Sequence, residues 1–180
     1  RYTGINGTPM LLEAISAKFE RDNDLKYNPN QIHVSCGGKP VIFNAMMATI
    51  NSGDEVIIPA PYWVSYPDIV LMFGGVPRVV DCPVENGFKI TPYQLEDTIT
   101  SKTKWVILNS PSNPTGGAYS EEELNDLAAV LKKYPLSFRS VNPGDVAEGE
   151  IITTPFGTAT LVAIAPVTPE QSAPIIATTP

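Results

Sequence analysis

Residues 104–117 read KWVILNSPSNPTGG, an apolar run that ends in a corner of two prolines, two asparagines and two glycines. The run Trp105–Leu108 has no polar alternation, which is typical of a strand buried on both faces. Ser120 then caps a predicted helix that continues to Lys133, with Glu123 as the capping-box acid. A buried strand, a rigid corner and a helix form one half of a strand–helix–strand unit.

The same pattern recurs towards the N-terminus. Thr8 and Thr91 each precede a proline, the preferred arrangement at the start of a helix. Strands are predicted at residues 31–35, 55–59 and 76–81, and helices at residues 8–21, 41–50 and 64–73 and from residue 91. Short apolar strands that alternate with helices predict an α/β fold: a largely parallel sheet with helices on both faces, or three αβα layers.

Composition narrows the range of functions. The 180 residues carry a formal net charge of −7, which argues against a nucleic-acid partner. No apolar run reaches the ~18 residues that a membrane span requires. Cys36 and Cys82 are too few for a disulfide framework, and no signal-peptide pattern is present, so we expect a cytoplasmic protein. His33 and Cys36 lack a second pair of soft ligands, and no metal site is expected.

The amino-acid composition changes sharply after Pro135. The first 135 residues hold every lysine, tryptophan and tyrosine, whereas residues 136–180 have none and are rich in threonine, alanine and proline. We therefore expect a partial α/β domain over residues 1–135 and an unrelated tail over 136–180. The tail is either disordered or the product of a frameshift or fusion, although residues 157–165 have the pattern of a strand.

Three strand-to-helix corners are candidates for a shared site, because ligands bind beyond the carboxyl ends of parallel strands. At CGGKP, residues 36–40, the start of a helix is open to an anion such as phosphate, or the glycines simply make a tight turn. Trp63, in the second corner, either covers a flat ligand or packs under the next helix. Asn113, in the third, either offers its amide to one ligand atom or forms an ordinary Asx turn.

In their order and spacing these residues resemble class I aminotransferases, pyridoxal-phosphate enzymes of the aspartate aminotransferase fold. The resemblance rests on Tyr2, Gly7, the CGGK corner, the run from Gly53 to Pro67, and NSPSNPTG. The sequence PYWVSYP, residues 61–67, is most similar to the bacterial aspartate and aspartate/prephenate branch of that family. The likeness covers about residues 1–135, so it implies a partial large domain, the half that binds the cofactor.

The resemblance implies a role for each corner. Gly38 and Lys39 would hold the phosphate of pyridoxal 5′-phosphate, Trp63 would stack on its ring, and Asn113 would bond its phenolic oxygen. Lys39, Trp63 and Asn113 would also contact the substrate. Tyr2 would reach the cofactor phosphate of a neighbouring subunit, which implies a homodimer. Pro40 departs from the family pattern, in which glutamine usually follows the lysine.

The implied activity is transfer of an amino group between an amino acid, L-aspartate or L-glutamate, and a 2-oxo acid. The family pattern stops at about Leu136, before the lysine that bonds the cofactor as a Schiff base. We therefore assign no catalytic residue and expect this polypeptide to be inactive alone. Two alternatives remain open: a non-catalytic fragment that binds a phosphorylated ligand or pairs with a homologue, and another enzyme of the same fold, either a different aminotransferase or a lyase.

Overall fold

The computed structural model describes residues 2–134 and two short strands further along the chain. The helices are α1 (Pro9–Asn23), α2 (Gly38–Thr49), α3 (Ser65–Met72), α4 (Pro92–Thr98) and α5 (Glu121–Leu131). The strands are β1 (Ile32–Val34), β2 (Glu55–Ala60), β3 (Val76–Asp81), β4 (Thr103–Ser110), β5 (Thr160–Ala163) and β6 (Ile175–Ala177). The strand expected within residues 157–165 is confirmed as β5, whereas most of the predicted tail lies outside the described residues.

The main sheet has the strand order β3-β2-β4-β5. β2 is parallel to both β3 and β4, which confirms the parallel arrangement, whereas β5 runs antiparallel to β4. β1 is an exception to the expected single sheet, because it pairs in parallel with β6 in a separate two-stranded sheet. The pairing joins Ile32–Val34 with Ile175–Ala177.

The main sheet is buried on both faces. Ile57 packs with side chains of α4 and α5, whereas its neighbours Val56 and Ile58 pack with side chains of α2 and α3. None of these three residues of β2 has exposed surface, and burying each one stabilises the fold by about 1.5–3 kcal/mol. This alternation confirms the three αβα layers.

Trp105 connects the central strand β4 to helix α2. The ring is 2% exposed and lies on the face covered by α2 and α3. Its Nε1–H donates to Thr49 Oγ1 at 3.0 Å, so the polar edge of this buried ring is satisfied. The contact fixes the last turn of α2 against the sheet.

The helix starts follow the predicted caps. Thr8 precedes α1, and Thr91 precedes α4 in a capping box with Gln94. Ser120 forms the same arrangement with Glu123 at the start of α5. These local hydrogen bonds fix where each corner ends and its helix begins. Among the residues described, no helix has both the length and the apolar character needed to cross a membrane.

Candidate functional site

The corners that follow β2 and β4 face each other across a cleft that is open to solvent. Pro61 and Tyr62 line it from the first of these corners, and Asn113 and Gly117 line it from the second. Lys89, from the segment between β3 and α4, also lines the cleft. The cleft therefore lies at the carboxyl-terminal ends of β2 and β4, and both polar and apolar side chains line it.

The glycine corner, residues 36–40, leads from β1 into α2. The helix begins at Gly38, earlier than the predicted start at Val41, because Pro40 fits the first turn, where an N–H group would have no helical partner. Gly37 has φ 130°, a conformation that favours glycine. Within the described part of the chain no side chain caps this helix, and Gly38 and Lys39 are exposed. The positive end of the helix dipole therefore faces solvent.

A contact between Lys39 and Trp63 connects the glycine corner with the corner that follows β2. The Lys39 ammonium lies over the Trp63 ring, 4.9 Å from its centroid. The indole is half-buried, and its other close ring contact is an edge-on packing with Tyr66 of α3, at 5.4 Å and 84°. Both proposed roles of Trp63 are thus compatible with the structure, since the ring packs against α3 and also meets the glycine corner.

The asparagine corner, residues 109–119, is closed by its own hydrogen bonds. The Asn113 N–H donates to Asn109 Oδ1 at 2.7 Å. The Ser112 N–H donates to the Gly117 carbonyl at 2.8 Å, and the Gly116 N–H donates to the Ser112 carbonyl at 2.7 Å. An asparagine side chain therefore does form the turn, but it belongs to buried Asn109, while Asn113 is exposed beside the cleft.

Lys89 was not predicted as a site residue. Its ammonium donates to the Ala118 carbonyl at 3.4 Å and forms an ion pair with the Glu123 carboxylate. The next residue, Ile90, donates its N–H to the Tyr119 hydroxyl at 2.9 Å. The sequence indicated Glu123 only as a helix cap, and no local pattern could have linked it to a lysine 34 positions earlier.

Burial and charge set the protonation of the groups around the cleft. Burial raises the pKa of Tyr66 and of Tyr119 to about 12, so both hydroxyls keep their protons at neutral pH. Hydrogen bonds from Lys89 and from the Ser120 N–H lower the pKa of the Glu123 carboxyl, which favours its charged form.

The five site residues predicted from the sequence do not all lie at the cleft. Of the five, Asn113 lines the cleft, whereas Gly38, Lys39 and Trp63 lie outside its lining and Tyr2 is fully exposed in the N-terminal segment. Within residues 2–134 and the two later strands, no group of three histidine, cysteine, aspartate or glutamate side chains could hold a metal ion.

Comparison with known proteins identifies aminotransferases as relatives of this chain. The chain is 58% identical over 135 residues to an aspartate/prephenate aminotransferase of Cereibacter sphaeroides, covering 75% of this chain and 34% of that protein. It is 52% identical over 166 residues to a probable aspartate/prephenate aminotransferase of Rickettsia bellii, covering 92% of this chain and 41% of that protein. The chain thus spans well under half the length of these curated relatives.

The fold leads to the same group of proteins. The crystal structure of an aspartate aminotransferase from Rhizobium meliloti superposes with a TM-score of 0.73 at 50% identity, covering 75% of this chain and 34% of that one. The model of the family "Aminotransferase class I and II" matches residues 1–137. The chain therefore belongs to the class I and II aminotransferase family.

Proposed function

We propose that this chain forms part of the pyridoxal 5′-phosphate site of an aminotransferase that moves an amino group between an amino acid and a 2-oxo acid. L-Aspartate or L-glutamate is the proposed amino donor. The observation that carries the proposal is the contact of Lys39 with Trp63, which brings a phosphate-type helix start next to a flat aromatic ring. The similarity to aspartate/prephenate aminotransferases supports the same assignment.

The glycine corner fits the phosphate of the cofactor. The first turn of α2, from Gly38 to Val41, carries a lysine and no acid. A helix start with exposed N–H groups and a neighbouring ammonium favours a phosphate dianion. A Cβ added at Gly37 would meet only Pro40, at 3.9 Å, so neighbouring side chains do not fill the space in front of the corner. We assign Gly38 and Lys39 to the phosphate.

The other two corners fit the ring of the cofactor. Trp63 offers an aromatic face for stacking, and the exposed amide of Asn113 suits a hydrogen bond to the phenolic oxygen. When bound, pyridoxal phosphate supplies an electron sink for bond cleavage at the α-carbon of the amino acid. We also assign Lys39, Trp63 and Asn113 to contact with the substrate, with the Lys39 ammonium proposed to bind an acidic side chain.

We further infer that the polypeptide of the printed sequence does not turn over substrate by itself. Lys89 lines the cleft together with Asn113, and its ammonium is paired with Glu123. Lys39 is assigned to the phosphate, and Lys133 is exposed at the end of α5. We therefore assign none of these three amines to bonding the cofactor or to carrying a proton at the α-carbon.

The N-terminal segment supports a proposed homodimer. Tyr2 and Ile5 are 104% and 91% exposed, an arrangement that suits residues destined for a neighbouring subunit. We assign Tyr2 to the cofactor phosphate of the partner subunit and the assembly to the cytoplasm. Residues 136–180 are proposed to be a tail unrelated to the aminotransferase domain.

Titration calorimetry with pyridoxine 5′-phosphate tests the site, because this ligand has the ring and phosphate but no aldehyde that could label exposed lysines. The full chain should bind it, and Lys39→Met should weaken binding about tenfold, the equivalent of ~1.4 kcal/mol. Lys102→Met removes an exposed lysine before β4 and is the matched control, with less than about a twofold change expected. Equal effects of the two variants would contradict the assignment of Lys39.

Borohydride reduction in the presence of pyridoxal phosphate tests the inferred lack of turnover. We expect weak labelling spread over exposed lysines, with no amino transfer from aspartate or glutamate to 2-oxoglutarate or oxaloacetate. A stoichiometric label on a single lysine together with amino transfer would overturn this part of the proposal. Binding of inorganic phosphate with no added affinity for the pyridoxine ring would instead support the non-catalytic alternative.

A further inference from the structure

Residues 87–90, between β3 and α4, lie directly against the asparagine corner. Lys89 Nζ donates to the Ala118 carbonyl at 3.4 Å, and the Ile90 N–H donates to the Tyr119 hydroxyl at 2.9 Å. A Cβ added at Gly117 would lie 2.9 Å from the Gly87 carbonyl oxygen, so the two backbones are in close contact. The position of this segment and that of the corner therefore depend on each other.

Glu123 extends these contacts to the start of α5. One carboxylate oxygen pairs with Lys89, and the other accepts the Ser120 N–H at 2.7 Å. The Tyr119 N–H in turn donates to Ser110 Oγ at 3.0 Å, which closes the base of the corner. A single ammonium thus connects to the corner at Ala118 and to the helix that follows it.

The Lys89–Glu123 pair is more shielded than a comparable pair elsewhere. The side chain of Lys89 is 22% exposed and that of Glu123 is 40% exposed. Lys133, just after α5, pairs with Glu96 of α4 at 3.0 Å, and these side chains are 56% and 43% exposed. Water screens exposed pairs more strongly, so the Lys89 pair should restrain its surroundings more. Lys133 therefore provides a matched control.

We propose that Lys89 is a positioning residue that holds the asparagine corner, and with it the amide of Asn113, in place for a ligand ring in the cleft. The proposal rests on the proposed function, because it uses the assignment of Asn113 to the phenolic oxygen of the cofactor. In this proposal the Lys89 ammonium, which is engaged by Glu123 and by the Ala118 carbonyl, is not a ligand contact. It acts through Ala118, which directly follows the closed turn, and through Glu123 in the first turn of α5.

The test compares two ligands on the full chain by titration calorimetry: pyridoxine 5′-phosphate and its 3-deoxy analogue, which lacks the phenolic oxygen. Lys89→Met should lower the affinity for pyridoxine 5′-phosphate about tenfold and change the affinity for the analogue by no more than about twofold. Lys133→Met should change neither affinity by more than about twofold. Lys89→Arg, which keeps a charged donor, should restore most of the lost affinity. Equal weakening of both ligands would overturn the proposal, since it would indicate a general structural role.

Hydrogen exchange measured by mass spectrometry provides a readout that does not need a ligand. Lys89→Met should speed exchange in residues 109–119 and leave the buried strand β2 protected, whereas Lys133→Met should leave both regions unchanged. Unchanged exchange at the corner, or loss of protection in β2 as well, would overturn the proposal. If the unsubstituted chain fails to bind pyridoxine 5′-phosphate but the corner still loosens, the proposed function fails while the connection between Lys89 and the corner stands.

Discussion

The glycine corner and the asparagine corner lie at the same edge of the fold but are built in opposite ways. The glycine corner carries an uncapped helix start, within the described residues, and an exposed lysine. The asparagine corner is closed by a buried side chain, by backbone hydrogen bonds and by contacts from residues 87–90. One corner thus leaves polar groups available to a ligand, whereas the other satisfies its own.

Because of this difference, substitutions in the two corners should affect different properties of the chain. Substitution of the buried Asn109 in the asparagine corner should lower the free energy of unfolding, because it removes a hydrogen-bond acceptor from the turn. Changes in the glycine corner should lower ligand affinity while the fold stays intact. Substitutions in the two corners should therefore differ in their effect on the free energy of unfolding.

Asn109→Ala should have the largest effect, about 2 kcal/mol off the free energy of unfolding. The buried amide oxygen accepts the Asn113 N–H at 2.7 Å, and alanine removes that acceptor. Asn113→Ala is the matched control, because its side chain is exposed, and it should cost less than about 0.5 kcal/mol. Urea unfolding of both variants gives the comparison, and similar losses in the two would show that the corner is not held by Asn109.

Lowering the pH should reduce the free energy of unfolding by less than Asn109→Ala does. Lys89 holds the pKa of the Glu123 carboxyl below its usual value of 4.5, so the pair stabilises the fold above that pH and its contribution is lost as the pH falls through the lowered pKa. The contribution should be less than about 1 kcal/mol, because the Glu123 side chain is 40% exposed and water screens its charge.

The acid effect is measured as the difference in unfolding free energy between the unsubstituted chain and Lys89→Met, followed from neutral pH to about pH 3. The difference should be constant near neutral pH and disappear at the acid end. A difference that does not change with pH would mean that Lys89 stabilises the fold through packing rather than through the charge of Glu123.

Lys39→Met should have the smallest effect on the free energy of unfolding, less than about 0.5 kcal/mol. The ammonium is exposed and its close contact is the Trp63 ring, 4.9 Å away. Thermal unfolding followed by circular dichroism measures the change. A loss as large as that of Asn109→Ala would remove the contrast between the two corners, because the glycine corner would then also be part of what holds the fold together.

The features that the sequence predicted correctly are those encoded locally. The capping box of Ser120 with Glu123, three positions apart, is present as expected, and Thr91 caps α4 as predicted. The uninterrupted apolar run Val56–Ile58 indicated a strand covered on both faces, and all of it is buried. Short-range hydrogen bonds and the burial demand of apolar runs act within a few residues, so a pattern in the sequence is enough to reveal them.

The features that were missed depend on contacts between distant parts of the chain. Lys89 and Glu123 are 34 positions apart, and only the packing of α5 beside the segment after β3 brings them together. Likewise, an Asx turn was considered at Asn113, but the acceptor is Asn109, because burial at the end of β4 fixes that side chain. The pairing of β1 with β6 also required knowing which strand edges remain available.

The contrasting environments of the two tryptophans give this chain a built-in pair of optical probes. Trp105 is shielded in the core on Thr49, so its fluorescence should shift only when the sheet comes apart. Trp63 is half-buried beneath a lysine at the edge of the site, within reach of a soluble quencher such as iodide. Quenching that affects one emission component and spares the other would therefore distinguish an event at the corner from global unfolding, without any added label.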